Sequence, residues 1–220
     1  MQISVLHSVL KANDAVARGN RHRLGQYKLL ALNITSAPGS GKTTLLEKTI
    51  PALAAENDQR SAVIVGDLQT SRDAERLGGV ADQIVQINTE GGCHLSATMI
   101  SEALDQLDLA CVSYLFIENV GNMVCPAGYD LGEHVRVAML SVPEGDDKVA
   151  KYPTLFQPAD VILLNKVDLI GVLSYQVNRV REDLSLVNTK SPLIELSTIA
   201  GVGMTSWYSW LVRQHRELYI

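Results

Sequence analysis

Ser36-Ala37-Pro38-Gly39-Ser40-Gly41-Lys42-Thr43 follows an apolar run (Leu29, Leu30, Ala31, Leu32, Ile34) and precedes a helix-forming segment, Thr44 to Ala55. The glycines let the backbone curl so that its N–H groups face an anion, and a helix starting at the loop adds the positive end of its dipole. The stretch therefore reads as strand, phosphate-binding loop and helix, with Gly39, Ser40, Gly41, Lys42, Thr43 and Thr44 around a nucleotide's phosphates. Lys42 reaches the outer phosphates, and the Thr43 hydroxyl completes the shell of a magnesium ion held by those phosphates. Ser36 stands where the motif usually has its first glycine; the position needs a compact residue, and serine is one. A Gly-rich turn before a core helix has the same composition, but the strand before it and the helix after it favour the phosphate reading.

Outward from this loop, short apolar runs alternate with polar or helical sequence. Ala62 to Val65, Gln83 to Ile87, Cys111 to Ile117, Val135 to Val142, Val161 to Leu164 and Leu193 to Leu196 read as strands. Amphipathic helices are expected over Leu95 to Leu107, Leu173 to Val187 and Thr205 to Leu218, the last with Trp207, Trp210 and Leu211 on one face. This is the alternation of a parallel sheet in an α/β protein, and 220 residues suit one such domain, residues 29–220. Residues 1–28 carry Ile3, Val5, Leu6, Val9, Leu10 and Val16 at near-helical spacing, then Arg18, Arg21, His22 and Arg23. They read as an amphipathic helix packed outside the sheet, ending in a solvated basic cluster.

With 19 Lys and Arg against 24 Asp and Glu, the chain lacks the basic footprint of a nucleic-acid or membrane-surface binder. Its apolar runs are too short to span a bilayer and no signal pattern opens it, so the expectation is a cytoplasmic protein with small-molecule or protein partners. Three cysteines in a reducing compartment point to metal, catalysis or burial rather than disulfides.

Asn165-Lys166-Val167-Asp168 follows an apolar strand. A carboxylate here can accept from both N1–H and the 2-amino group of guanine while the lysine stem lies along the base, so GTP is the expected nucleotide. A solvated strand-to-helix turn is the alternative. Ser197-Thr198 ends the next strand, where guanine-binding proteins place a backbone donor for the base oxygen; Ile199 stands where a lysine is often found. Asp67 and Glu118, each at a strand end, are the carboxylates best placed for magnesium, with Asp73 as second choice, and Gly121 can offer an unhindered N–H to the γ-phosphate. Lys42, Asp67 and Glu118 are thus the candidate catalytic residues. No glutamine or arginine stands out as a water-positioner, so hydrolysis is expected to be slow.

Cys93-His94 and Cys125 follow glycine-rich or irregular segments that leave strand ends. Thiolate and imidazole suit zinc or nickel, but three ligands do not close a tetrahedron, and water or a second copy of the chain must supply the rest. Taken alone, two cysteines and a histidine in a reducing compartment are more often buried core groups than a metal site.

Gly66-Asp67-Leu68 with Asp73-Ala74, Cys93-His94-Leu95, Glu118-Asn119-Val120-Gly121-Asn122 with Cys125-Pro126-Ala127, Glu144-Gly145-Asp146-Asp147-Lys148 with Lys151-Tyr152-Pro153, and Asn165-Lys166-Val167-Asp168-Leu169 occur in that order after the phosphate loop. Together they resemble the hydrogenase maturation GTPases that help insert nickel into [NiFe]-hydrogenase, from Leu29 to about Leu218. The resemblance implies a three-layer P-loop fold with a mixed or parallel sheet of roughly seven strands and helices on both faces. It implies GTP-dependent homodimerisation, a nickel or zinc site of Cys93, His94 and Cys125 at the dimer interface, and hydrogenase maturation proteins or the hydrogenase large subunit as partners. It also implies that Lys151, or less readily Lys148, contacts nucleotide across the dimer.

Two positions depart from that pattern. Residues 1–28 hold no cysteine and only His7 and His22, which disfavours nickel storage. Ser96 replaces the usual aspartate, whose loss is expected to loosen the orientation of His94. The rival functions are a urease-type nickel accessory GTPase, whose Cys-Pro-His motif is not matched at Cys125-Pro126-Ala127, a nucleotide-dependent scaffold with merely buried cysteines, and an ATP-using P-loop kinase.

Overall fold

The computed structural model describes residues 3–57, 59–69 and 71–219; the side chains of residues 3–9, and with them the apolar spacing of Ile3, Val5, Leu6 and Val9, lie outside the described residues. The first half of the chain runs α1 (Ile3–Leu24), β1 (Leu30–Ser36), α2 (Lys42–Asn57), β2 (Ser61–Asp67), α3 (Arg72–Leu77), β3 (Gln83–Asn88), α4 (Ala97–Leu104) and β4 (Tyr114–Glu118). It continues with β5 (Val135–Ser141), α5 (Lys148–Lys151), α6 (Pro153–Phe156), β6 (Val161–Asn165), α7 (Ile170–Leu173), α8 (Val177–Val187), β7 (Leu193–Glu195) and α9 (Met204–Glu217).

Among the described residues the strands form one seven-stranded sheet in the order β3-β2-β4-β1-β5-β6-β7, every pair parallel. Side chains alternate across each strand, so one face (Leu32 and Ile34 of β1, Phe116 of β4, Val137 of β5) packs on α2 and α9 through Leu45, Trp207 and Leu211. The opposite face (Ala31, Leu115, Ile117) meets Leu24 of α1 and Ile100 of α4, while Ala138, Leu140 and Ile162 meet Phe156 and Val180. The result is the expected three-layer arrangement, with β1 at its centre and the strands' carboxyl ends on one rim.

Local chemistry shifts several boundaries. The Asp108 side chain accepts from Ala110 N and holds Leu109–Cys111 in a helical turn, so β4 begins at Tyr114 rather than Cys111. The helix expected over Leu173–Val187 is split at Ser174, which adopts a left-handed φ of 50°. The polar stretch after Asp67 contains α3, whose six residues are too few to show a period. The basic end of α1 is not simply solvated: Arg21 pairs with Asp130 at 2.7 Å and Arg23 with Asp105 at 2.5 Å.

The α2–α9 layer carries one buried polar link. Trp207 Nε1 donates to Thr49 Oγ1 at 2.9 Å, and that hydroxyl donates to Leu45 O at 2.7 Å. A Thr49→Val substitution keeps the shape but leaves the indole N–H buried and unpaired, which is expected to destabilise the fold by about 1–3 kcal/mol in urea unfolding. A change within the error of the wild-type midpoint would contradict that role.

Candidate nucleotide and metal sites

The phosphate loop is held by backbone that only glycine tolerates. Gly39 and Gly41 have φ of 74° and 99°, and a Cβ on Gly41 would lie 2.7 Å from Asn165 Nδ2. Lys42 is buried, with Nζ 3.1 Å from Ser36 Oγ. The serine that replaces the motif's first glycine thus supplies the ammonium with an acceptor. Burial pulls the Lys42 pKa down, against the opposing pull of Glu118 and Asp73. Ser40 faces inward, its Oγ 2.6 Å from Glu144 Oε1, so it fastens the loop from behind. Glu144 opens the Glu144-Gly145-Asp146-Asp147-Lys148 stretch, and nothing in the sequence indicates that contact.

A cleft of about 730 Å³ opens over the loop, lined by Gly39, Gly41, Lys42, Thr43 and Thr44, and beyond them by Asp67, Asp73, Glu118, Gly121, Lys166, Asp168, Ser197 and Thr198. Parallel pairing puts Ile34 beside Glu118 and Val65 beside Glu118, which brings the ends of β1, β2 and β4 to this rim. Glu118 Oε1 accepts from Thr43 Oγ1 at 2.8 Å, while its Oε2 is buried without a hydrogen-bond partner. Burial, only partly offset by Lys42 and Thr43, pushes the Glu118 pKa up to about 7. A buried carboxylate oxygen with no donor, beside a hydroxyl and with Asp67 lining the same cleft, fits a divalent cation. Arg76 also lines the cleft, with its guanidinium on Glu47 and 3.0 Å from Thr44 Oγ1. Nothing in the sequence marks this arginine, because six-residue α3 is too short to show a helical period.

The guanine-directed residues divide into two groups. Asp168 lies on the cleft wall, and Lys166, in a left-handed conformation with φ 62°, lays its Nζ 2.7 Å from Gly39 O. Asn165 is fully buried behind them: it donates to Ser40 O at 2.9 Å and accepts from Lys166 N at 2.8 Å and Thr198 N at 3.2 Å. It buckles three loops together. The Ser197 N–H donates to Val202 O at 2.9 Å, so the backbone donors expected at Ser197-Thr198 are both engaged within the chain. Lys151 is not among the residues that line the cleft; it pairs with Asp147 at 2.5 Å, and Lys148 pairs with the same carboxylate at 2.9 Å.

Cys93, His94 and Cys125 converge from two loops, with their ligand atoms all within 4.8 Å of one another. Cys93 Sγ lies 3.6 Å from His94 Nδ1, and the His94 ring packs on Tyr129 with centroids 3.9 Å apart. A hydrogen bond with Cys125, and then burial, raises the Cys93 pKa, while burial lowers that of His94 and favours the neutral, ligand-competent imidazole. Two thiols and an imidazole at this separation fit a soft divalent ion. Ser96 is the N-cap of α4, its side chain accepting from Met99 N, a position where serine and aspartate serve alike.

The two sites share a segment. Glu118 and Cys125 are seven positions apart, and between them Gly121 lies against the phosphate loop, where a Cβ would come 2.9 Å from Pro38 Cα. Buried Asn119 accepts from Leu95 N, next to His94, at 3.3 Å and from Val120 N at 2.9 Å, and donates to Asn33 at 3.1 Å.

Residues 30–195 match the family model described as CobW/HypB/UreG, nucleotide-binding domain. The chain is 47% identical over 206 residues to the hydrogenase maturation factor HypB of Escherichia coli K12, covering 94% of this chain and 70% of the relative. It is 41% identical over 221 residues to the hydrogenase/urease maturation factor HypB of Helicobacter pylori J99, covering 99% and 90%. A crystal structure of Helicobacter pylori HypB in complex with nickel superposes with a TM-score of 0.88 at 41% identity, covering 94% of this chain and 97% of that one. Among the described residues no helix is long and apolar enough to cross a membrane.

Glu118 makes a testable pH signature. Its carboxyl titrates near 4.5 when unfolded and about 7 when folded, so the folded state holds the proton more tightly. Its contribution to stability is present below pH 4.5 and lost as pH rises through about 7. In chelator, without nucleotide, the wild type is expected to lose melting temperature relative to Glu118→Gln between pH 5 and 7.5, values chosen to bracket most of that window; parallel curves would contradict the shift.

Proposed function

The chain belongs to the CobW/HypB/UreG family, among the HypB hydrogenase maturation factors, and we propose that it is a GTP-hydrolysing metallochaperone that dimerises with GTP and assists nickel insertion into [NiFe]-hydrogenase. The observation that carries this reading is the seven-position segment joining Glu118 in the nucleotide cleft to Cys125 in the thiol–imidazole cluster.

In this reading Lys42 and the loop N–H groups bind the β- and γ-phosphates, and Asp168 accepts from the guanine edge. Thr43, Glu118 and Asp67 would hold magnesium, which neutralises charge on the outer phosphates when bound. The cleft orients a water for attack on the γ-phosphorus, giving GDP and phosphate; among the described residues no glutamine lines the cleft, and turnover is slow. Gly121 moves with the γ-phosphate and carries Cys125 with it, so the nucleotide state sets the grip of Cys93, His94 and Cys125 on nickel, or on zinc. Three ligands leave room for water or the partner's cluster, and Lys151 is assigned to the nucleotide of a second copy. Hydrogenase maturation proteins or the hydrogenase large subunit receive the metal, in the cytoplasm. The printed name of the Helicobacter pylori relative also includes urease, so delivery to urease is the second reading; Ala127 after Cys125-Pro126, with the histidine beside Cys93 instead, favours hydrogenase.

Competition binding is expected to show GTP preferred over ATP by several orders of magnitude, as for sites built to hydrogen-bond their ligand. Asp168→Asn should weaken GTP by about 10- to 100-fold, the worth of a hydrogen bond to a charged group. Cys93→Ala and Cys125→Ala should each abolish stoichiometric nickel binding. Equal ATP affinity, or nickel retained by both variants, would overturn the reading.

A further inference from the structure

Helix α1 bridges the two loops that carry the thiol–imidazole cluster. Asn13 accepts from Ala97 N through Oδ1 at 2.8 Å and donates from Nδ2 to Asp130 O at 2.7 Å. Asn20, two turns on and on the same face, donates from Nδ2 to Ala97 O at 2.8 Å and Leu131 O at 3.0 Å. Ala97 follows His94 by three residues, and Asp130 and Leu131 follow Cys125 by five and six. Each asparagine amide therefore has one tie to each ligand-bearing loop, and both side chains are buried, at 7% and 3% exposure.

The contact between these ties is backbone on backbone. A Cβ on Gly132 would stand 2.5 Å from Asn20 Cβ and 2.6 Å from Ala17 O, and Arg21 closes the seam with its pair to Asp130. Among the described residues no backbone-to-backbone hydrogen bond joins the 89–96 and 119–132 loops. They are joined by the Asn119 side chain at one end, the His94–Tyr129 stack and the Cys93–Cys125 hydrogen bond between, and the two α1 asparagines at the other. A helix serving only to cover the sheet would show apolar residues here, as Leu24 does. A buried amide satisfied on both sides instead fixes a distance, because removing either tie leaves a desolvated group.

We infer that Asn13 and Asn20 are positioning residues for the metal site: α1 sets the separation of the Cys93-His94 loop from the Cys125 loop, and metal affinity depends on α1 being docked. The inference rests on the reading of those three residues as ligands. Linkage makes it reciprocal, so bound metal must also hold α1 down.

The test is nickel titration of the full chain against a competing chelator, for the wild type, Asn13→Asp, Asn20→Asp and Cys93→Ala, with GTP-analogue affinity measured on the same samples. Asn20→Asp keeps the shape and removes both donors; Asn13→Asp keeps the acceptor for Ala97 N and removes the donor to Asp130. Each is expected to weaken nickel by about 10-fold or more, the scale on which groups supporting metal ligands act, with GTP-analogue affinity unchanged. Wild-type nickel affinity in both, or nickel and nucleotide affinities falling together, would overturn the positioning role. Nickel binding that survives Cys93→Ala would overturn the ligand reading itself, and this inference with it. Should a variant fail to fold, hydrogen exchange on the wild type decides: nickel is expected to slow exchange of the Ala97 amide and of α1 from Asn13 to Leu24, and no slowing would overturn the inference.

Discussion

A single contact organises the molecule's working end: the backbone of Gly121 lies so close on Pro38 that no side chain fits between them. The phosphate loop and the Gly121 segment cannot come closer without one of them giving way. A close-packed interior transmits such displacements rather than absorbing them. At one end of that segment Glu118 holds Thr43; at the other Cys125 meets Cys93 and His94. The parallel sheet makes this possible by ending β1, β2 and β4 on one rim, so that loops remote in sequence are neighbours in space.

Electrostatics places the energetic tension on the same segment. Glu118 is a carboxyl kept partly protonated at neutral pH by burial, with one oxygen bonded and the other unpartnered. Lys42 is a buried cation whose acceptor is a serine hydroxyl rather than an anion. Both groups are disfavoured in their charged forms until charge of the opposite sign arrives. In the proposed function a triphosphate with its divalent ion would supply both, making ligand binding and ionisation of the cleft one event. The cysteine pair would behave alike in the proposed function, its shared hydrogen bond giving way to metal bonds with release of protons.

The parts of this arrangement fixed by local chemistry were readable in the sequence. The strand–loop–helix around Gly39 to Thr43 follows from glycine spacing and an apolar run, and β-strand alternation with helical segments predicts the parallel sheet. Asp67 and Glu118 stand out in the sequence because they end apolar strands, where open α/β sheets carry their ligands, and Asp168 because it closes the Asn165-Lys166-Val167-Asp168 turn after one. What escaped depends on tertiary packing. Asn165 and Ser40 look like ligand contacts in sequence but face inward, since the buried rear of a tight loop needs hydrogen bonds as much as its front does. Arg76 was missed because six-residue α3 has no periodicity to reveal it. The polar part of the docking face of α1 is not legible in apolar spacing: Leu24 meets the sheet, while Asn13 and Asn20 meet loop backbone. Ser96 likewise reads as a lost carboxylate in sequence and as a helix cap in the fold.

In the proposed function, the segment that runs from Gly121, packed on Pro38, to Cys125 joins the nucleotide cleft and the thiol–imidazole cluster into one mechanical unit. Isothermal titration of nickel into the protein loaded with GDP, and separately with a non-hydrolysable GTP analogue, tests that unity most directly. A coupled pair of sites predicts nickel affinities that differ by at least about fivefold between the two states, the lower end of ordinary coupling energies. The same affinity and the same stoichiometry in both would mean that the γ-phosphate does not reach the metal.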